Sequence, residues 1–510
     1  MSWNLNENLK RSATMYPDRD AIIYNQEKIT YAQLNHHVDK LAAGLISRGI
    51  RKGDRVALVL GNSLEFVSAY YGILRTGAVV VPINPIFSAR EIEYILSNCE
   101  AQAVVALGAL EQVIAPMQER LPHVQFVVYT GEVEGPTSFA SLLEASHGET
   151  TSMPDTTPDD LAVILYTSGT TGNPKGAMLT HQNMASNAEA LHPLFQLTKE
   201  DRVVAVLPIF HVFCMTVCLN SPIALGAAVI IIPKFSPAHV LEIIREEKAT
   251  LFAGVPTMYN FLLQYPEGRA QDFESIRLCV SGGSSMPVEL LYRFEEKYQT
   301  IVLEGYGLSE AAPVTTFNPL GGTRKSGSVG VEIAGVSNKI VDDEGNEVPR
   351  GEVGELAVKG PNVMKGYLGM PEATAQVLKN GWLFTGDMAM MDDEGYVYIV
   401  DRKKDLILVG GYNVYPREVE EVLYQHPSVI EVAVIGVPDQ EYGEAVKAFV
   451  ARKSEETTSE ELIQFCEEKM AKYKVPRMIE FVSDLPKNTT GKILRKALRE
   501  HLTAEAKENV

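Results

Sequence analysis

With 510 residues, 45% of them hydrophobic and 22% charged, the chain reads as an ordinary globular sequence, too long for one hydrophobic core and sized for about two to four domains. Its 65 acidic residues outweigh 46 basic ones, and the formal net charge of −19 argues against nonspecific binding to nucleic acid or to an anionic membrane surface. An anionic substrate would need basic groups gathered locally.

The N-terminus shows no apolar core flanked by positive charge, so no secretory signal is read there and the cytosol is the expected location. Leu34, Val38, Leu41, Ala42 and Leu45 fall on one helical face, and residues 55–60 then read as a strand. Next come a helix from Leu64, a buried strand at 78–81, a helix opened by Ser88 with Glu91 completing a capping box, and a strand at 103–107. An apolar run at 161–165 reads as a further strand.

The loop after that run is Tyr166-Thr-Ser-Gly-Thr-Thr-Gly-Asn-Pro-Lys-Gly176. Its glycines free the backbone for left-handed turns, its hydroxyls donate hydrogen bonds, and Lys175 adds a mobile cation, a composition suited to wrapping polyphosphate. It is not the phosphate loop of the NTPases, because Gly172 is followed by Asn-Pro-Lys rather than by the spacing that ends in Gly-Lys-Ser/Thr. Gly491-Lys492 fails the same pattern, with Ile493 after it and Pro486 in place of the first glycine. A flexible surface loop is the bland reading of such a tract; its position after a buried strand favours the ATP reading.

Strand-and-helix alternation resumes with a strand at 203–207. The most apolar stretch, 222–233, is too short to span a bilayer, and Gly226 with Val229-Ile-Ile-Ile232 reads as a buried strand after a turn. A helix at 237–247 and strands at 251–255 and 276–281 follow. The repeated units predict an α/β fold with two helix-flanked subdomains in the first 320 residues. From Lys339 the texture changes to short strands, with turns at Asp343-Glu-Gly345, Pro349-Arg-Gly351 and Asp393-Glu-Gly395, which describe a small β-rich subdomain. Past Asp401-Arg-Lys-Lys404 come a helix with Pro416 in its first turn and Val419, Val422 and Leu423 inward, strands at 430–437 and 445–450, and an amphipathic helix carrying Leu462, Phe465 and Cys466. The expected division is residues 1–401, binding ATP and acid, and a mobile α+β domain at 402–510.

The five cysteines, Cys99, Cys214, Cys218, Cys279 and Cys466, are odd in number and scattered, as reduced buried thiols would be. Cys214 and Cys218 share a helical face, but no second Cys or His pair offers a zinc site.

Several segments have the composition of a nucleotide site, each weak alone. Ser281-Gly-Gly-Ser-Ser285 would let a flat ring approach the backbone, or is a plain turn. In Gly305-Tyr-Gly-Leu-Ser-Glu310, Tyr306 is placed to stack on a base and Glu310 to hold Mg²⁺. Asp387, in Thr385-Gly-Asp387, and Arg402 suit ribose hydroxyls, although single charges at turns are usually only solvated.

The order Tyr-Thr-Ser-Gly-Thr-Thr-Gly-x-Pro-Lys-Gly, Tyr-Gly-Leu-Ser-Glu, Thr-Gly-Asp, Asp-Arg-Lys-Lys-Asp and Pro-Lys-Asn-Thr-Thr-Gly-Lys resembles the adenylate-forming superfamily of acyl-CoA synthetases, peptide-synthetase adenylation domains and firefly-type luciferases. The resemblance runs from about residue 10 to residue 500. Leu207-Pro-Ile-Phe-His-Val-Phe213 and Gly410-Gly-Tyr-Asn-Val-Tyr-Pro416 look most like the bacterial fatty acyl-CoA synthetases. It implies a fatty acid:CoA ligase using ATP, Mg²⁺ and coenzyme A, in which a carboxylate attacks the α-phosphate and the CoA thiol then attacks the acyl-adenylate.

By the same resemblance, Thr167, Ser168, Gly169, Thr170, Thr171, Gly172 and Lys175 would hold the phosphates, with Thr167 and Glu310 on the metal. Gly283, Ser284, Glu304, Gly305, Tyr306, Gly307 and Ser309 would frame the nucleotide, and Asp387 and Arg402 the ribose. Glu304 and Ser309 stand where many members have Gln or Asn and Thr. Lys492 would reach in during adenylation only, Lys404 would be the hinge, and Gly410 and Gly411 would border the CoA tunnel. His211, Val212, Phe213, Met258 and Tyr259 would line the acyl pocket, with packing as the plain alternative; a lone His beside Phe210 and Phe213 is often a core histidine. By motif similarity to the fatty-acid members, medium to long fatty acids are expected ahead of acetate or an aromatic acid such as coumarate; at about 0.8 kcal/mol per buried methylene, one or two pocket residues can shift the preferred length by many carbons. The other partners expected are small molecules only, with no nucleic acid, no transmembrane segment, peripheral membrane contact open, and a monomer or homodimer. No acidic residue for an amino-acid ammonium is evident, and a catalytically dead nucleotide binder would have lost Lys492, Glu310 or the loop.

Overall fold

The computed structural model describes residues 3–144, 153–167, 174–488 and 491–508, with side chains up to residue 502. Two large sheets and their helices make up the first 330 residues. In the nine-stranded sheet, Asp20–Tyr24, Ala228–Ile231, Arg202–Ala205, Leu251–Gly254, Leu278–Ser281 and Val302–Gly307 run parallel side by side. In the seven-stranded sheet, Phe126–Thr130, Ala103–Leu107, Arg55–Val59, Val79–Pro82 and Leu161–Thr167 are parallel, and Lys175–Thr180 and Gly366–Tyr367 add antiparallel edges.

Strands buried on both faces explain the near-continuous Val/Ile/Leu runs of the sequence. The two subdomains are interleaved, however, because strand Asp20–Tyr24 crosses over to the sheet that residues 202–332 build. Alternation along a chain carries no information about which sheet a strand joins. One apolar core runs between the sheets, from Leu5 through Leu41, Tyr70, Leu191 and Ile223 to Val397.

Helix starts follow their caps. Ser88 and Glu91 form the expected capping box on Ala89–Asn98, and Thr30 with Gln33 does the same for Tyr31–Ser47. Within residues 222–233 the expected turn and buried strand are present, at Gly226, φ +82°, and Ala228–Ile231, and a short helix not read from the sequence, Ser221–Leu225, precedes them. The left-handed turn is what glycine permits, and a Cβ there would stand 2.3 Å from the Tyr16 ring. Cys214 and Cys218 lie across a junction from a short α-turn into the π-helix Met215–Asn220, and all five cysteines are buried free thiols.

A third, antiparallel sheet comprises Ser337–Val341, Val353–Lys359, Trp382–Met391, Leu378–Lys379 and Val397–Arg402, the β-rich texture read from Lys339 onward. The C-terminal segment builds its own sheet from Tyr412–Val414, Ile407–Val409, Gly443–Arg452, Val429–Asp439 and Met478–Phe481. Its apolar clusters begin at Ile407 and are separate from the core that ends near Val397.

Candidate active site

The C-terminal ends of the parallel strands Leu278–Ser281 and Val302–Gly307 form the floor of a cleft, the usual place for a ligand in an α/β sheet. Gly282 lies over Phe213, whose ring would be 3.2 Å from a Cβ there, and Gly283 turns at φ +80° beside Val255, with the half-buried Ser284 after it. Gly305 and Gly307 have steric reasons to be glycine: added Cβ atoms would stand 2.2 Å from the Phe317 ring and 2.3 Å from Pro313 O. Glu304 is 2% exposed, and its Oε1 accepts the Met286 N–H at 2.9 Å, so it braces the 282–286 turn from below. Burial raises its carboxyl to about 7, partly offset by Arg417, and Oε2 has no hydrogen-bond partner.

One side of the cleft is polar. Tyr306 donates its hydroxyl to Asp387 Oδ2 at 2.5 Å, and Arg402 Nε lies 3.4 Å from Asp387 Oδ1. Asp387 and Arg402 are opposite each other in the ladder between Trp382–Met391 and Val397–Arg402, which holds the pair in register. The opposite side is apolar, with Val212, Phe213 and Met258 buried. Tyr259 lies deeper: its ring packs on Phe252 and Phe294, its hydroxyl bonds Val280 O at 2.9 Å, and these contacts make it a core residue beneath the wall.

His211 caps the turn into Val212–Cys214, its Nδ1 accepting the Phe213 N–H at 3.3 Å. Burial, with a contribution from Lys492, lowers it to about 4, so the ring is neutral at physiological pH and its hydrogen resides on Nε2. The approach to His211 is set by Asn62, which the sequence reading did not single out. Asn62 Nδ2 donates to Ala205 O, Leu207 O and Ile232 O at 3.3, 2.9 and 3.1 Å, and Oδ1 accepts Ile209 N at 2.8 Å. That side chain ends the ladder at Ala205, two residues before the expected strand end.

Lys492 comes to this cleft from the C-terminal segment. Asn488 N–H donates to Lys492 O and Asn488 Oδ1 accepts Lys492 N–H, both at 2.9 Å, which closes the turn. Thr257 donates to Gly491 O at 3.2 Å, fastening it to the wall helix Pro256–Gln264. Burial lowers the ammonium to about 8, and Arg402, Arg495 and Lys404 push the same way against Asp387. In a chain of net charge −19, Lys492, Arg402 and Lys404 gather positive charge near Asp387, the local basic cluster that an anionic substrate requires.

A second cluster lies where the strand Leu161–Thr167 ends and Lys175–Thr180 begins. Lys175 opens the strand Lys175–Thr180 with its ammonium 5.1 Å from the Tyr367 ring centroid, and Tyr367 donates its hydroxyl to Glu310 Oε1 at 2.8 Å. Glu310 follows Ser309 in a short 3-10 turn, and Thr167, half-buried, ends its strand across the ladder from Lys175. Ser168, Gly169, Thr170, Thr171 and Gly172 lie outside the described residues. Tyr367 was missed in the sequence because its two-residue strand, Gly366–Tyr367, has no periodicity to read. Lys404 is exposed near the Asp387–Arg402 pair, and the Gly410-Gly411 pair is exposed on the C-terminal segment. The glycines form the two-residue turn of the hairpin Ile407–Val409/Tyr412–Val414, at φ +57° and +84°, values that a tight hairpin turn of this kind demands.

A glycine-floored cleft at strand ends, with a cationic lid donated by a separate C-terminal sheet, defines an enzyme that handles an anionic nucleotide. The chain belongs to the AMP-binding enzymes: the family described as "AMP-binding enzyme" matches residues 9–368, and "AMP-binding enzyme C-terminal domain" matches 418–492. It is 42% identical to the long-chain-fatty-acid–CoA ligase of Bacillus subtilis, over 97% of this chain and 94% of that protein. It is 37% identical to a feruloyl-CoA synthase of Amycolatopsis, over 96% and 97%. Among solved structures, ATP-bound MatB from Rhodopseudomonas palustris superposes with a TM-score of 0.91 at 37% identity, covering 98% of this chain and 99% of that one.

Proposed function

We propose that this protein is an ATP-dependent fatty acid:CoA ligase that forms acyl-CoA, AMP and pyrophosphate through an acyl-adenylate, acting on medium- to long-chain acids. The observation that carries the reading is the approach of Lys492, from the C-terminal segment, to the cleft that holds His211, Asp387 and Arg402. In the first half-reaction an acyl carboxylate oxygen bonds to the α-phosphorus while the bond to the β-phosphate breaks and pyrophosphate leaves with the electron pair. Lys492 bridges carboxylate and phosphate oxygens and so favours the transition state over the ground state. Neutral His211 donates from Nε2 without adding charge. In the second half-reaction the CoA sulfur bonds to the acyl carbon, AMP departs, and the thiol proton goes to solvent.

Asp387 and Arg402 hold the ribose, the floor glycines admit the adenine, and residues 167–175 with Lys175 take the outer phosphates. Glu310 and Thr167 present hard oxygen ligands suited to Mg²⁺, and no group of three or more His, Cys, Asp or Glu able to hold a metal occurs among the described residues. An ion held there together with the nucleotide would supply positive charge to offset that of the departing phosphates. Residues 402–510 act as a mobile cap that turns about Lys404 between half-reactions, withdrawing Lys492 and bringing Gly410-Gly411 to the entering CoA arm.

The similarity to a feruloyl-CoA synthase makes aromatic acids the second reading. Pyrophosphate exchange across a panel of C6 to C18 fatty acids, coumarate, ferulate and benzoate decides between them. Strong exchange with fatty acids supports the proposal; exchange with the aromatic acids alone replaces it.

A further inference from the structure

We propose that Asp401, with Arg495 as its partner, is a latch that positions Lys492 and stabilises only the cap orientation used for adenylation. The inference rests on the two-orientation reading above. Asp401 lies in the strand Val397–Arg402, opposite Met388 in the third sheet, so its backbone belongs to the N-terminal body. Its side chain is only 3% exposed, yet two of its donors come from the cap: Arg417 N–H at 3.0 Å and Arg495 Nη1 at 3.3 Å. Arg495 is three residues beyond Lys492 and opens the helix Arg495–Glu508. Its other terminal nitrogen is gripped by both oxygens of Glu420, at 2.7 and 2.8 Å, and Glu420 also accepts Val434 N–H at 2.8 Å.

Asp405 supplies the contrast. It lies one residue past the pivot, accepts Arg499 Nη2 at 2.8 Å and stands 3.8 Å from the same Arg495. Two carboxylates four positions apart thus share one guanidinium across Lys404. Rotation about Lys404 carries Asp405, Glu420, Arg495 and Arg499 together and leaves their contacts intact, whereas Asp401 loses both of its cap donors. An interaction present in one state and absent in the other shifts the equilibrium between them; one present in both does not. Among the described residues, the hydroxyl bond from Thr257 to Gly491 O also fastens the Lys492 turn to the body. A buried charge pair three residues away is therefore well placed to decide how long the ammonium stays in position.

The test separates the half-reactions in the full-length enzyme, using pyrophosphate–ATP exchange for adenylation and pre-formed acyl-adenylate plus CoA for thioester formation. Asp401→Asn keeps an acceptor for Arg417 N–H but removes the charge. It is expected to slow exchange roughly 3- to 30-fold while thioester formation holds or quickens. Asp405→Asn is expected to leave the ratio of the two rates unchanged. Arg495→Lys, which keeps the charge without the fork, should show the same bias as Asp401→Asn in smaller measure, and reads the latch should Asp401→Asn fold poorly. Equal slowing of both half-reactions by Asp401→Asn or Arg495→Lys, or no change in either, overturns the latch. Lys492→Ala is the separate control: if it leaves exchange intact, the two-orientation reading itself falls; if it abolishes exchange alone, a failure of the Asp401 arm counts against the latch only.

Discussion

The floor of the cleft and the lid that covers it are built by opposite means. The floor is backbone packed without slack: Gly305 under Phe317, Gly307 against Pro313, and Glu304 buried beneath the turn it braces. The lid is joined to the body by scattered polar contacts, from Thr257 to Gly491, from Asn260 to Ile430 O at 3.4 Å and from Arg495 to Asp401. Close packing has one solution and resists displacement, while hydrogen bonds and ion pairs exchange readily with water. On the proposed function, the region that holds the nucleotide is the packed one, and the cap that arrives and leaves is the one tethered by polar bonds.

The contrast breaks first at Lys492. Lys492→Ala should cut adenylation about 10²- to 10³-fold, the scale for losing one transition-state donor, and leave thioester formation near its original rate. Because the ammonium titrates near 8, adenylation kcat/KM of the wild type should fall as pH rises through that value, and Lys492→Arg should move the fall upward. A floor change should act differently. Gly305→Ala, with its methyl 2.2 Å from Phe317, should destabilise the fold by about 1–3 kcal/mol or more, read as a lowered denaturant midpoint, and depress both half-reactions together.

Glu304→Gln sharpens the same point. The folded pKa of about 7 lies above the unfolded value of 4.5, so the folded state keeps a proton that the unfolded chain has released, and stability declines as pH rises from about 4.5 to 7. Replacing the acid by the amide removes that decline. The variant should gain up to about 3 kcal/mol at pH 8 and nothing below pH 4.5, as urea melts at the two pH values would show. The smallest effect is expected from Tyr367→Phe, which keeps the ring near Lys175 but loses the hydroxyl on Glu310. Its ATP affinity should fall by about 1 kcal/mol, measured by calorimetry with a non-hydrolysable analogue, with little change in melting temperature.

Much of this was legible in the sequence where local chemistry fixes structure. Ser88 and Glu91 announced a helix start, Pro237 opened another, and the 161–165 run led into the loop before Lys175. What escaped reading depends on long-range pairing. The crossing of Asp20–Tyr24 into the larger sheet, the two-residue strand that supplies Tyr367, and the bonds from Asn62 to residues more than 140 positions away leave no periodic trace. Motifs marked Lys492, Asp387 and Arg402 as one set because their chemistry is shared. For Tyr259 the sequence left packing and a pocket role open, since an inward ring and a pocket-facing ring read alike in a helix; the structure sets it in the aromatic core behind Val280.

Asn62 has one more consequence. It follows a strand of the seven-stranded sheet, while the carbonyls it engages belong to the neighbourhood of Ala205 and Ile232 in the nine-stranded one. A single carboxamide thus pins the two layers together, and it does so just upstream of His211. On the proposed function, the imidazole that an entering acid meets follows a segment anchored by both halves of the body at once.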